Sequence, residues 1–140
     1  MKKLFYVLII FVLLISLSAC GSLPKADYDS PDAVIDAALA QHPIKEGDIY
    51  DIYDELEGKT FRVKTNLYKE NDISVVYQGS YGSNTIDVDL AGIYDESGKP
   101  LTDFDYKKGD TIVLKVAFVS FRGTKSGNLR QYFIMAELPD

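Results

Sequence analysis

Cysteine is nearly absent from this 140-residue chain, with Cys20 its only representative. No intrachain disulfide can form, and beyond position 20 both thiol catalysis and thiolate metal sites are excluded. Histidine is equally scarce. His42 stands alone before Pro43, where closing a helix is role enough, and without a nucleophile and an orienting partner it makes no catalytic triad. Positive charge is also in deficit: 15 Lys and Arg against 21 Asp and Glu give a net −6, which opposes the counterion release that dominates nucleic-acid affinity. The glycines of "GSYGSN" are not followed by the Lys-Ser/Thr of a phosphate loop. The Asp-x-Asp pairs, Asp87 with Asp89 and Asp103 with Asp105, lack the Gly and terminal Glu of a calcium loop. No metal, cofactor or catalytic set is therefore expected, and the chain does not read as an enzyme.

One long apolar run is present. From Leu4 to Ile15 no charge interrupts the sequence, and Lys2 and Lys3 precede it. The run is too short for a transmembrane helix, which needs about 20 apolar residues. It is followed by the small residues Ser16, Ser18 and Ala19 without a positive cluster, the pattern of a removable secretory signal. The four residues Leu17-Ser18-Ala19-Cys20 resemble the lipobox of bacterial lipoproteins. That resemblance implies cleavage before Cys20, a diacylglyceryl group on its sulfur and an acyl group such as palmitate on its nitrogen. It also implies a place on the extracytoplasmic face of the cell membrane. Stable anchoring takes two chains or two signals, and a diacylglyceryl group supplies two chains at once, so no basic patch is required.

Residues 1–19 thus form the signal peptide, 20–29 a lipidated tether and 30–140 one domain. Cleavage removes Lys2 and Lys3 but no acid, leaving 13 basic and 21 acidic side chains, a net of −8. Small polar residues and Pro24 fill the tether, which fully extended reaches up to about 30 Å.

In "SPDAVIDAALAQHP", Ser30 suits an N-cap, Pro31 the first helical position, Asp32 the first turn and Pro43 the stop. Val34, Ala37, Ala38 and Gln41 fall on one stripe, with Ile35 and Leu39 beside it. A second short helix is predicted in "GDIYDIYDELEGK", with Asp48 as cap, Ile49, Ile52, Tyr53 and Leu56 at helical spacing, and Gly58 as stop. Beyond Gly58 the period falls to two. Five strands are predicted in "KTFRVKTNLYK", "ISVVYQ", "NTIDVDLAGIY", "DTIVLKVAFVSF" and "LRQYFIMAEL", with a hairpin turn in "GSYGSN" and a long polar connection in "DESGKPLTDFDYKKGD".

A mainly β (α+β) domain follows: five strands preceded by one or two short helices. Five strands of this size leave two edges open unless they close into a small barrel. The stretches "GKTFRVKT" and "KKGDTIVLKVAFVSF", with Gly58-Lys59 and Gly109-Asp110 at their heads, resemble the OB-fold, in particular its tRNA-anti-like group. The likeness covers roughly residues 45 to 138. It implies an OB-like barrel that binds something, though the helix usual between the third and fourth strands is not evident. A small β-sandwich and an open antiparallel sheet covered by the helices are the alternative folds.

Aromatic residues are the remaining functional signal. Tyr68, Tyr77, Tyr81, Phe118, Phe121, Tyr132 and Phe133 lie on or near the strands, among Arg62, Lys64, Lys115, Arg122 and Arg130. Stacking aromatics beside cations are how OB-folds hold single strands. The candidate ligand-binding face is Arg62, Lys64, Tyr68, Tyr77, Tyr81, Arg122 and Arg130. Anchor, barrel and aromatics together suggest a cell-surface binding module with a protein partner. Exclusion or immunity lipoproteins of conjugative elements and phages share this architecture, and an oligonucleotide or glycan on the barrel face is a third reading, although acidity and address disfavour nucleic acid. Replacing the lipid-accepting thiol tests the anchor: Cys20→Ala should yield unprocessed or released protein in membrane fractionation, and full maturation with membrane retention would refute it.

Overall fold

The computed structural model describes residues 23–45, 48, 50–66, 75–91, 97, 106–124 and 130–140. Among them the chain forms one helix, α1 (Pro31–Gln41), and six strands: β1 (Tyr50–Tyr53), β2 (Thr60–Lys64), β3 (Val75–Tyr81), β4 (Asn84–Leu90), β5 (Thr111–Gly123) and β6 (Arg130–Glu137). The protein is mainly β, as its period-two segments predict.

Helix α1 begins where its capping chemistry lies. Ser30 is extended and its hydroxyl accepts the Ala33 N–H at 3.2 Å, with Pro31 at the first helical position. At the other end the His42 N–H donates to the Ala38 carbonyl at 2.9 Å. Val34, Ile35 and Ala38 are buried, whereas Gln41, predicted on the same stripe, is exposed.

The second predicted helix is replaced by strand β1 and a turn. Tyr50–Tyr53 pairs antiparallel with β5, Tyr50 opposite Arg122 and Tyr53 opposite Val119. Two causes act together. β5 is 13 residues long and β2 covers only Thr111 to Lys115 of its edge, so the rest of that edge holds open amides and carbonyls. The Tyr-Asp-Ile-Tyr segment carries the aromatic and β-branched residues that fit a pleated surface. Helical spacing in so short a run is ambiguous: Tyr53 and Leu56 are buried, while Ile52 is 48% exposed. From Asp54 to Gly58 only a turn remains, closed by Glu57 N–H to the Asp54 carbonyl at 2.9 Å.

The sheet runs β1-β5-β6-β4-β3, with β2 beside β5 on the edge it shares with β1. All pairings are antiparallel except β4 with β6, which is parallel. Among the described residues it therefore has six strands rather than five, and no strand ladder closes it. One side chain spans the gap: Asn66, just past β2, donates to the Gln78 carbonyl of β3 at 2.6 Å and accepts the Gln78 N–H at 3.0 Å. The β3–β4 hairpin turns at Gly82-Ser83, so β3 continues through Gly79 and Tyr81, further than predicted.

The inner face carries Phe61 and Val63 of β2, Ile86 and Val88 of β4, Leu114, Val116, Val119 and Phe121 of β5, and Tyr132 and Ile134 of β6, all buried with the apolar side of α1. Helix α1 lies across β2 and β4. A turn just before β5 is locked onto the end of β2. Buried Thr65 donates its hydroxyl to the Lys107 carbonyl at 2.8 Å, and its own carbonyl accepts the Gly109 N–H at 2.7 Å. Gly109 has φ +96°, a region costly for residues with a Cβ, which explains the glycine of Gly109-Asp110.

Residues 24–29, whose composition suggests a tether, run along β2. Tyr28 bridges Phe61 in parallel, donating to the Thr60 carbonyl and accepting the Arg62 N–H, each at 3.0 Å. The Asp27 carboxylate accepts the Thr60 N–H at 2.8 Å and its hydroxyl at 3.0 Å, and these bonds hold its pKa below the ordinary 3.8. Arg62 reaches the Pro24 carbonyl and the Asp29 carboxylate.

The packing separates the strand from the helical reading of β1. Phe61→Ala should lower unfolding free energy by about 3–5 kcal/mol, and Ile52→Ala by less than about 0.5 kcal/mol. Urea denaturation measures both, and a core-sized loss at Ile52 would overturn β1.

Candidate functional site

The β5–β6 ladder carries two arginines at its loop end. Arg122 pairs with Gln131 and Gly123 with Arg130. Successive residues alternate faces, so Arg122 stands on the outer face and Arg130 on the inner one. Each guanidinium lies over a ring of its own face: Arg122 is 5.6 Å from the Phe133 centroid and Arg130 is 6.0 Å from that of Phe121. Contacts of this kind orient a cation and leave its N–H edge for other acceptors.

Around the strand ends a cleft of about 310 Å³ is lined by both arginines with Ser83, Thr85, Thr124 and Gln131. No carboxylate is among its described lining residues. Three hydroxyls, an amide and two guanidinium groups are a donor-rich set. The Arg130 backbone N–H donates to the Asn84 side chain at 2.9 Å, which fixes the start of β6 against the β3–β4 hairpin. Its Nε is buried without a hydrogen-bond partner, an uncommon state for a charged donor.

Arg122 also borders a second depression, about 240 Å³, with Tyr50, Phe118, Ser120, Phe133, Met135 and Asp89. A sheet with one wet face would carry polar side chains here. The outer surface of β5 and β6 instead presents Phe118, Phe133 and Met135, half-buried, and Tyr50 at 56% exposure. Beside them the Gln131 amide donates to the buried Asp87 carboxylate at 2.6 Å. Asp87 and Asp89 do share a strand face, as their spacing predicts.

Of the predicted binding face, the structure brings together only Arg122 and Arg130. Arg62 and Lys64 sit on β2, opposite Val113 and Thr111 at the far end of β5, with Arg62 engaged by Pro24 and Asp29 and Lys64 exposed. Tyr77 and Tyr81 pack against the core. Burial raises the Tyr77 phenol pKa, and the Tyr77 ring lies over Gly79, where a Cβ would force the ring to shift. Tyr81 donates to the Asp36 carboxylate of α1 and meets Tyr132 edge-on at 5.4 Å. Tyr68, Asp103, Asp105 and Cys20 lie outside the described residues.

Lys115 pairs with Asp140 and His42 lies against Glu55, so both side chains make structural contacts. His42 also stacks on Tyr53 at 5.7 Å, and Tyr53 on Phe121 at 6.2 Å. Among the described residues no group of three or more His, Cys, Asp or Glu could hold a metal. Sequence reasoning passes over Ser83, Thr85, Thr124, Gln131, Tyr50 and Met135. For Met135 and Phe133 a signal exists: β6 is apolar at successive positions, so both of its faces are apolar.

No protein-family model matches the chain, and neither a curated protein nor a solved structure matches it.

The tyrosines give the fold an alkaline limit. The Tyr81 phenol is pushed up to about 12, chiefly by its bond to Asp36, and the Tyr53 phenol to about 12, chiefly by burial. The unfolded chain releases these protons near pH 10 while the folded chain keeps them, so this contribution is complete below pH 10 and lost as pH rises toward 12. Thermal melts between those pH values should fall for the native chain and fall less for Tyr81→Phe; equal slopes would refute the assignment.

Proposed function

We propose that this protein is a lipid-anchored, extracytoplasmic binding module, without catalytic activity, that engages an acidic segment of a protein partner through the Arg122–Arg130 cleft and the aromatic depression beside it. The observation that carries the reading is the cleft itself. In a domain with a net charge of −8 after cleavage, two arginines and four neutral polar side chains line one groove, and no carboxylate is among its described lining residues. The adjoining surface of Tyr50, Phe118, Phe133 and Met135 is rich in the residue types that interface cores favour, aromatic side chains and Met next to Arg. A carboxylate seated on the arginines beside an apolar side chain in the depression satisfies both halves.

We also propose an OB-like reading of the fold. Strands β2 to β6 supply five strands, and Asn66 bridges the ends that a closed barrel would join. An OB-fold is a partly open five-stranded barrel whose loop between the fourth and fifth strands takes part in binding. Counted from β2, that connection is β5–β6, where Arg122, Thr124 and Arg130 stand. The Leu17-Ser18-Ala19-Cys20 motif supports the anchor. A discrete acidic group fits two arginines better than a polyanion fits a net-negative domain.

A photo-crosslinker placed at Phe133 in membrane-bound protein should capture one defined partner. A hydrogen bond to a charged group contributes about 1.5–3 kcal/mol, so Arg122→Ala should weaken that partner's binding roughly ten- to a hundredfold in titration. Binding unchanged by Arg122→Ala would refute the role of the cleft.

A further inference from the structure

A third depression, about 440 Å³, lies at the other end of the β5–β6 hairpin. It is lined by Pro24, Thr111, Ile112, Val113, Leu138 and Pro139, and Leu23 next to it is 61% exposed. Three features converge on this groove.

The first is the length of free chain. Because Pro24–Asp29 is bound along β2 through Arg62, Thr60 and Phe61, only Gly21, Ser22 and Leu23 separate the lipid-bearing position from the groove. Four residue steps span at most about 14 Å. A lipid on Cys20 therefore holds the groove within a headgroup layer's thickness of the bilayer, not at the distance a ten-residue tether allows.

The second is charge. Lys64 is paired with Thr111 and Arg62 with Val113, which sets both cations on the outer face beside the groove. Lys25, Lys107 and Lys108 are exposed at the same end. Of the acids there, Asp29 pairs with Arg62 and Asp140 with Lys115, while Asp110 accepts the Lys107 N–H and Asp27 the Thr60 N–H, both remaining exposed. Glu137 is exposed. Exposed Lys25, Lys64 and Lys107 thus stand around an apolar groove at the end nearest Cys20, a combination suited to a surface of acyl chains and phosphate groups.

The third is direction. β5 and β6 are antiparallel, so Thr111 and Leu138 mark one end of the hairpin and Gly123 and Arg130 the other. Thirteen residues of strand separate these ends by up to about 40 Å.

We infer that the domain rests directly on the bilayer through the groove of Pro24, Ile112, Val113, Leu138 and Pro139, with the arginine cleft turned away from the membrane. This docking rests on the lipidation of Cys20 proposed above, and the test separates the two. The chain contains no tryptophan, so single reporters can be introduced at exposed positions: Pro139→Trp and Thr111→Trp at the groove, Ser83→Trp at the cleft. The full mature lipidated chain is reconstituted in vesicles of phosphatidylcholine and phosphatidylglycerol carrying brominated acyl chains, with far-ultraviolet dichroism checking each fold. Emission from Pro139→Trp and Thr111→Trp should be quenched at least twofold, and that from Ser83→Trp should be unchanged. Equal emission from all three, or a dimer in detergent with no quenching at the groove, overturns the docking. Mass spectrometry of the N-terminal peptide reads the anchor independently: a Cys20 without lipid overturns the anchor and with it the docking, whereas a lipidated chain with unquenched groove reporters overturns the docking alone.

Discussion

One extra residue in β5 decides which side chains this protein buries and which it shows. Against β6, Val116 pairs with Ala136 and Phe118 with Met135, so Ala117 is the added residue of a bulge. Before it Leu114 and Val116 point inward; after it Val119 and Phe121 do. In a strand of strict alternation the second pair would face outward, and Phe118, Ser120 and Arg122 would fill the core. A bulge re-aims every later side chain by one position. Both the packing of Phe121 against Tyr53 and the outward placement of Arg122 at the cleft depend on it.

The same strand organises everything attached to it. With no disulfide possible, the fold relies on burial and on backbone pairing, and β5 uses both edges: β6 pairs with Lys115 to Gly123 along one, and β2 with Thr111 to Lys115 and then β1 with Val119 to Arg122 along the other. The turn of Lys107 to Asp110, held on Thr65, fixes where β5 begins. From that end β2 recruits the segment Pro24 to Asp29 by a parallel bridge. A segment that composition marks as a tether is thereby made an edge element, because β2 would otherwise expose the amides and carbonyls of its second edge.

What was legible in the sequence had local causes. Ser30 and Pro31 specify the start of α1 through one hydroxyl and one fixed φ, and the alternation of Phe61 with Arg62 and Val63 with Lys64 specifies a strand with one wet face. Tyr50–Tyr53 was not legible, since its strand state depends on an edge of β5 some 70 residues away in the chain; the local spacing favoured a helix. The candidate face was legible only in part for a related reason. Arg122 and Arg130 meet because they flank one hairpin, whereas Tyr77 and Tyr81 follow the period that turns β3 toward α1. Residue type identified stacking aromatics, and only the sheet's register could say which of them reach solvent.

The placement of charge adds a final constraint. Uniformly spread, an acidic surface would be repelled from an anionic membrane and from an acidic ligand alike. Here two pairs of described cations stand at the two ends of one hairpin. Arg62 and Lys64 lie beside the apolar groove at one end, and Arg122 and Arg130 line the cleft at the other. The strand between them has Lys115 held by Asp140, and its inner side chains are apolar. Separation along β5 allows the two ends to meet different surfaces without competing for the same arginines. Shortening β5 by a pair of residues would preserve the inward pattern of its side chains but draw the two cationic ends together, so strand length and not only fold class sets how far apart those two surfaces stand.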